Sequence, residues 1–399
     1  MAEEVQDVLG YRNWDVEFPV CIDATLGTAG HTLAMLQASP KLHVIAFDRD
    51  ASSQQLAVTR LREAGFESRV TIVHCDFRFA DYVIRAIGAQ TRDALLNLDN
   101  KVLEVSILPG LSAKVLFGDG LLQRLIAGAD WPVRGALLDA GMSLYQVSLA
   151  ARGLSFNQDG PLDMRYNINQ EISAYELVNQ LEEEELSDLL FRYTDERWAR
   201  RIAANITRQR RSNPINTTSE LADIIAAVIP APAKRKSRVH PATKSFAAIR
   251  MAVNDEYWAL EEGAWALAQA LATNARLAIL TYGSTEDRTV KRTFRRLADR
   301  MPEVDTPKAS RMPRRLKRDS LLHALTAART SLTTNLATDI LPTDHSTALS
   351  PEILQEAGWG QNWMMKIITQ RPLVPAEAEI ENNPLSRSAK LRVIEKITL

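Results

Sequence analysis

The sequence predicts an α/β protein built on a doubly wound, largely parallel sheet that is interrupted by an all-helical insertion. Three observations carry that expectation. Residues 20–50 read as strand, glycine turn, helix, strand. Short apolar runs that end in a polar or acidic residue recur at residues 69–74, 134–139 and 275–282, with helical patterns between them. Residues 171–239 show helical patterns and no convincing strand.

The bulk composition bounds the rest. A chain of 399 residues that is 46% hydrophobic and 24% charged can bury a sizeable core, enough for one large domain and a smaller one. With a net charge of -1 and a pI of about 6.6 there is no global positive field, so any nucleic-acid binding must come from local basic clusters. Cys21 and Cys75 both fall in strand-like runs, which argues against a disulfide framework and against a zinc site, and no metal is expected. No apolar run approaches the ~18 residues of a membrane span. The acidic start M-A-E-E-V resembles neither a signal core nor a basic transit peptide, so an intracellular protein without a membrane partner is expected.

Taken in order, the first run ends in Asp23. Gly27 and Gly30 then allow a tight turn into a helix whose free N–H groups face that turn. The next run, residues 43–47, leads to Asp48. An acid at a strand's carboxyl end, about 20 residues beyond a glycine turn, suits a ribose diol. The spacing G-T-A-G lacks the middle glycine of the dinucleotide fingerprint, which favours a cofactor with a ribose and no pyrophosphate. The third run ends at Cys75, Asp76 and Phe77, where an acid and an aromatic suit an adenine edge and face, or equally a helix cap beside a core ring. Residues 84–131 read as an elaboration on the sheet. The fourth run brings Asp139, Gly141, Ser143 and Gln146 to a strand end, where a doubly wound enzyme keeps its chemistry.

Residues 152–166, R-G-L-S-F-N-Q-D-G-P-L-D-M-R-Y, have neither period and suit an active-site wall, or a loop packed by its own Phe156 and Leu162. In the helical stretch, Ile202 and Ile206 form one stripe and Arg197, Arg200, Arg201, Arg208 and Arg211 surround it. A second basic run, A-K-R-K-S-R, follows at residues 233–238, so a phosphate-tracking surface is expected. Residues 240–262 read as one long amphipathic helix through Phe246, Ile249, Val253 and Tyr257. The β-alternating end, residues 388–399, is expected to pair last in the sheet.

Several blocks together resemble a known family: D-A-T-L-G-T-A-G-H-T, G-A-L-L-D-A-G-M-S-L-Y-Q, D-G-P-L-D-M-R, H-P-A-T-K-S-F-A-A-I-R-M-A-V-N-D-E, S-T-E-D-R and N-P-L-S-R-S-A-K-L-R-V. They are similar to the MraW/RsmH family of small-subunit ribosomal RNA cytosine-N4 methyltransferases. The resemblance implies a Rossmann-like class I methyltransferase sheet with an inserted all-helical domain. The methyltransferase domain is then residues 1–166 and 240–399, with residues 84–131 an insertion, and residues 167–239 form the RNA-facing helical domain. It also implies that S-adenosyl-L-methionine contacts Ala29, Gly30, His31, Asp48, Phe77, Asp139 and Gln146. Of these, Asp48, Phe77, Asp139 and Gln146 are also singled out by their positions at strand ends, without the resemblance.

The expected catalytic groups are Asp139 and Ser143, and the expected substrate contacts are Phe156, Asp163, Arg165, Arg200, Arg201 and Arg208. The expected partner is small-subunit rRNA or an immature small subunit, with other assembly factors. Ala29, Leu144 and Gly283 depart from the family's glycine, serine and histidine, which raises an alternative: a catalytically inactive methyltransferase-fold assembly factor that binds rRNA. The same divergence, with the insertion, points to a mitochondrial member, the alternative being cytoplasmic.

Overall fold

The computed structural model describes residues 1–11, 14, 16–108, 111–141, 144–168, 170–236, 239–298 and 363–398. The chain divides into two compact units. The first takes residues 1–141 and, among the later described residues, those from Tyr257 onward; the second lies between, up to Glu256.

The first unit contains α1 (Ala2–Leu9), β1 (Val20–Asp23), α2 (Gly30–Ala38), β2 (His43–Asp48), α3 (Ala51–Glu63), β3 (Val70–His74), α4 (Ala80–Gly88), α5 (Arg92–Leu96), β4 (Val102–Leu108), β5 (Leu111–Leu116), α6 (Asp119–Ile126) and β6 (Val133–Asp139). The second unit contains α7 (Leu144–Ser148), α8 (Ala174–Gln180), α9 (Glu183–Thr194), α10 (Ala199–Arg210), α11 (Thr218–Val228), α12 (Ala231–Lys236) and α13 (Thr243–Val253). The chain returns to the first unit through α14 (Glu256–Ala270), β7 (Arg276–Thr281), α15 (Ser284–Ala298), β8 (Trp363–Ile367), α16 (Glu377–Asn382) and β9 (Lys390–Thr398).

The strands form one sheet in the order β4-β5-β3-β2-β1-β6-β7-β9-β8. β3, β2, β1, β6 and β7 are parallel, which is why their sequences are continuous apolar runs: helices cover both faces. Val20, Ile22, Ile45 and Leu138 bury toward one face, Cys21, Val44, Ala46 and Leu137 toward the other. The order reverses at β1 and β6, the switch point beyond which ligands bind in such sheets.

The structure specifies one expectation and changes others. Residues 84–131 hold a β-hairpin, β4–β5, that extends the sheet antiparallel to β3. Its solvent side carries Glu104 opposite Lys114, and Ser112 Oγ donates to Glu104. The C-terminal strand β9 is not last, because β8 pairs outside it. The expected single helix at 240–262 is two, since Asp255 adopts a left-handed conformation (φ 54°) between α13 and α14. That break is also where the units divide, so the helical unit runs to Glu256 and takes in the 152–166 loop, which widens the expected 167–239 domain at both ends. The expected basic run reaches residues 237–238, which lie outside the described residues.

Candidate functional site

The carboxyl ends of β1, β2 and β6 each present an aspartate: Asp23, Asp48 and Asp139. Asp23 is buried and fully engaged, one oxygen accepting from the Thr25 amide at 3.1 Å and the other from Thr32 Oγ1 at 2.6 Å. Thr25 in turn ties β1 to β6, because its hydroxyl accepts from the Asp139 amide at 2.9 Å. Asp48 spans the glycine turn: it accepts from Gly27 N at 2.7 Å and from Asp50 N at 2.9 Å. Arg60 closes the same turn from α3, donating to the Thr28 carbonyl at 2.5 Å.

Within this frame Ala29 is the last residue before α2 and takes the left-handed conformation, φ 66°. Its methyl group is fully buried, in the cluster that includes Leu26, Met35 and Leu36. It therefore points into protein and not into an open cleft. Gly30, by contrast, is exposed, with nothing within 4 Å of where a Cβ would sit. No side chain caps α2, so its first N–H groups are available to an anionic group.

His31 follows on α2 and sets Nε2 3.5 Å from Asp139 Oδ2. Burial works against charge on the imidazole, but Asp139 and Asp23 outweigh it and the pKa of His31 is raised. The other oxygen of Asp139, Oδ1, is buried and meets no strict hydrogen-bond geometry among the described residues, while the Tyr282 hydroxyl interacts with the same carboxylate and has its pKa pushed up by burial and by Asp139. A carboxylate at a switch point suits a ligand's donor. The Tyr282 ring flanks it: a Cβ on Gly141 would lie 2.8 Å from that ring and 3.4 Å from Oδ1.

At the end of β3 the acid takes the capping reading and the aromatic packs, partly buried, against the core. Asp76 caps the turn by accepting from Arg78 N at 3.0 Å and pairs with Arg49 and Arg78, so it is spent on structure. Phe77 is half-buried and lies against α14 where Gly263 leaves room for it; a Cβ there would lie 2.4 Å from the ring. Sequence reading missed Gly263, and its only signal was a glycine inside an otherwise strong helix.

Thus Ala29, Gly30, His31, Asp48, Phe77 and Asp139 all lie in the first unit on the turn, on α2 or at the strand ends. Gln146 lies in the second unit, buried on α7. Ser143 lies outside the described residues.

In the second unit, Phe156 packs edge-on to Phe246 of α13, and His240 tilts against it, with both ring centroids 4.7 Å away. His240 is exposed, so part of this aromatic cluster faces solvent. Asp163 and Arg165 are spent on each other: Oδ1 accepts from Arg165 N and Nε at 2.9 Å, Oδ2 from Nη2 at 2.6 Å, and Nη1 reaches the Gln170 carbonyl. They clasp the loop, a scaffold role. Buried Asn254 holds the same loop, accepting from Tyr166 N and donating to the Met164 carbonyl, both at 2.7 Å. The D-M-R-Y and V-N-D-E blocks therefore go together because they bond to each other. On α10, Ile202 and Ile206 are buried while Arg200, Arg201 and Arg208 are exposed, Arg201 lying over the Trp198 ring and Arg208 donating to Asn205.

Among the described residues no group of three or more His, Cys, Asp or Glu side chains is arranged to hold a metal. No described helix is long and apolar enough to cross a membrane.

A switch point with a glycine turn, an uncapped helix N-terminus and strand-end acids is the arrangement of a nucleoside-cofactor α/β protein. The chain belongs to the MraW methylase family, whose model matches residues 6–335 and 330–397. It is similar to the ribosomal RNA small subunit methyltransferase H of Geotalea daltonii, 34% identical over 95% of this chain and 92% of that one. The protein of the same description from Citrifermentans bemidjiense is 34% identical over 100% and 97%. A solved rRNA methylase from Streptococcus thermophilus aligns over 99% of this chain and 93% of its own at 9% identity, with a TM-score of 0.31.

Proposed function

We propose that this protein uses S-adenosyl-L-methionine to methylate N4 of a cytidine in small-subunit ribosomal RNA during subunit maturation. The observation that carries the reading is Asp139, which stands at the switch point between His31 and Tyr282. The cofactor supplies an electrophilic methyl group on a sulfonium. The residues present fit it: the free N–H groups of α2 suit its carboxylate, Asp48 its ribose hydroxyls and Phe77 its adenine.

The chemistry asked of the chain is modest. The exocyclic amine of cytosine is a weak nucleophile, since its lone pair is conjugated into the ring. As the N–C bond forms, the amine must lose a proton. The Asp139 carboxylate is the acceptor, and His31 holds its Oδ2. The exposed part of the Phe156–His240 cluster offers a stacking surface for an unstacked base. The arginines of α10 hold flanking phosphates.

The inactive alternative rests on Ala29, Leu144 and Gly283. The buried methyl of Ala29 removes its main support. At Gly283, the amide donates to Glu286 Oε2 at 2.7 Å, a bond that needs no side chain.

The direct test incubates the purified protein with labelled cofactor and immature small subunits and looks for N4-methylcytidine by nucleoside mass spectrometry. Label on any other atom, or none, overturns the proposal. For the arginines, the variant R200Q/R201Q/R208Q is expected to lower the salt slope of RNA binding by about 2, since each phosphate of a single strand that is no longer neutralised removes ~0.7. An unchanged slope removes α10 from the interface.

A pH dependence follows from Asp48. Burial pushes its carboxyl from 3.8 up to about 6, so the folded protein without ligand favours the protonated acid between those values. Accepting from a ribose diol requires the carboxylate, so cofactor affinity is expected to fall as pH drops through about 6. Calorimetric titrations between pH 5 and 7.5 on the parent and on Asp48→Asn check this. The variant should lose the fall near pH 6 and keep only the dependence that His31 contributes, and a parent with the variant's profile contradicts the role of Asp48.

The compartment is proposed with its two readings: mitochondrial, supported by the divergence and the insertion, and cytoplasmic, supported by the bacterial relatives. Imaging a tagged chain in its native cell separates them. Other assembly factors belong to the proposal as partners on small-subunit maturation alone.

A further inference from the structure

We infer that α15 is a second RNA-backbone contact, on the first unit and separate from the arginines of α10. The inference rests on the rRNA reading above and extends it to a surface that reading does not use. The sequence of the helix, S-T-E-D-R-T-V-K-R-T-F-R-R-L-A, divides by face. Val290, Thr293, Phe294 and Leu297 are buried against the sheet side. Arg288, Lys291 and Arg295 are exposed, with Arg292 partly so, at spacings of three and four that align them on one stripe.

An ordinary solvated helix face mixes charges of both signs and pairs them along the helix. This face does not. Both acids of α15 are withdrawn into structure: Glu286 is buried and accepts from the Tyr282 and Gly283 amides at 2.9 and 2.7 Å. Asp287 is held by Arg392 at 2.7 Å, with Lys390 at 3.9 Å. Arg296 is taken by Glu261. Arg288, Lys291, Arg292 and Arg295 form no ion pair among the described residues, which leaves four cations of one sign on a chain whose net charge is -1.

The position gives the stripe its meaning. α15 begins at Ser284, directly after β7 ends at Thr281, and β7 is parallel to β6. The helix therefore starts at the same edge of the sheet as Asp23, Asp48 and Asp139. From Arg288 to Arg295 the stripe runs roughly 10 Å away from that edge, a length suited to successive phosphates flanking a base delivered to the strand ends. Lysine and arginine at this spacing bind a backbone without reading its sequence.

The test is fluorescence anisotropy with a labelled single-stranded oligouridine of about 20 nucleotides, titrated at several salt concentrations. R288Q/K291Q/R295Q is expected to weaken binding tenfold or more at 0.1 M salt and to reduce the salt slope by about 2, with cofactor affinity unchanged. R288K/K291R/R295K, which keeps the charges, should bind as the parent does. If the glutamine variant keeps the parent's affinity and slope while R200Q/R201Q/R208Q loses both, α15 is not an RNA contact and the RNA reading stands. If the parent binds neither oligouridine nor immature small subunits, the RNA reading falls and α15 with it. If the charge-keeping variant also loses binding, the loss reflects damage to the helix and the stripe is refuted as an electrostatic surface.

Discussion

Asp139→Asn is expected to reduce single-turnover methyl transfer by roughly 10²–10⁴, the range that a positioned proton acceptor contributes. The substitution keeps the shape of the side chain and the bond from the Asp139 amide to Thr25 Oγ1, so the turn and sheet should survive. What it removes is charge and, at one of the two positions, an acceptor. Nδ2 must then face either the cleft, where the amine also donates, or His31. The imidazole reports on the change independently of turnover. Asp139 is the principal reason that the pKa of His31 is raised in spite of burial, so in the variant burial acts with only Asp23 opposing it and that pKa should fall. An NMR titration of His31 reads this directly. Transfer within threefold of the parent would show that the proton leaves by another route, and an unmoved His31 would show that the 3.5 Å pair does not form in solution.

The strand-end acids were legible because parallel strands buried on both faces leave continuous apolar runs, and such runs stop at the first polar residue. Val20–Asp23 and Val133–Asp139 end that way in the structure as in the sequence. The β4–β5 hairpin was harder. It sits at the sheet's edge with one face in solvent, so Glu104, Ser106, Ser112 and Lys114 dilute its hydrophobicity, although Pro109-Gly110 between the strands is a turn signal. The break at Asn254 and Asp255 was hidden because Val253 and Tyr257 are both buried and keep the helical spacing across it. The pairing of Asp163 with Arg165 was not legible for a different reason: charged residues two apart in a loop read alike whether they await a ligand or bond each other, and the distances show that they bond each other.

Two residues with nearly the same backbone angle should respond to exchange between alanine and glycine in very different ways. Ala29 has φ 66° and Gly153 φ 60°. At Ala29, glycine relieves about 1 kcal/mol of left-handed strain but removes a buried methyl worth about 0.8 kcal/mol. Ala29→Gly is therefore expected to leave stability and cofactor affinity near the parent's. At Gly153 a Cβ would meet the Pro161 carbonyl oxygen at 2.0 Å and the Asp163 amide at 3.0 Å, both backbone atoms that cannot rotate away. The Met164 amide also bonds the Arg152 carbonyl there, at 3.0 Å, so the loop cannot open without losing that pair. Strain of roughly 1–2 kcal/mol and overpacking of roughly 1–3 kcal/mol then act together. Gly153→Ala should cost about 3 kcal/mol and loosen the 152–166 loop, with rRNA methylation lost alongside. Urea denaturation of both variants and limited proteolysis within the loop check the pair. A Gly153→Ala protein as stable and as protease-resistant as the parent would mean that the close approach of residues 153 and 161 is not kept in solution, and the clasp around Asp163 and Arg165 would have to be rebuilt.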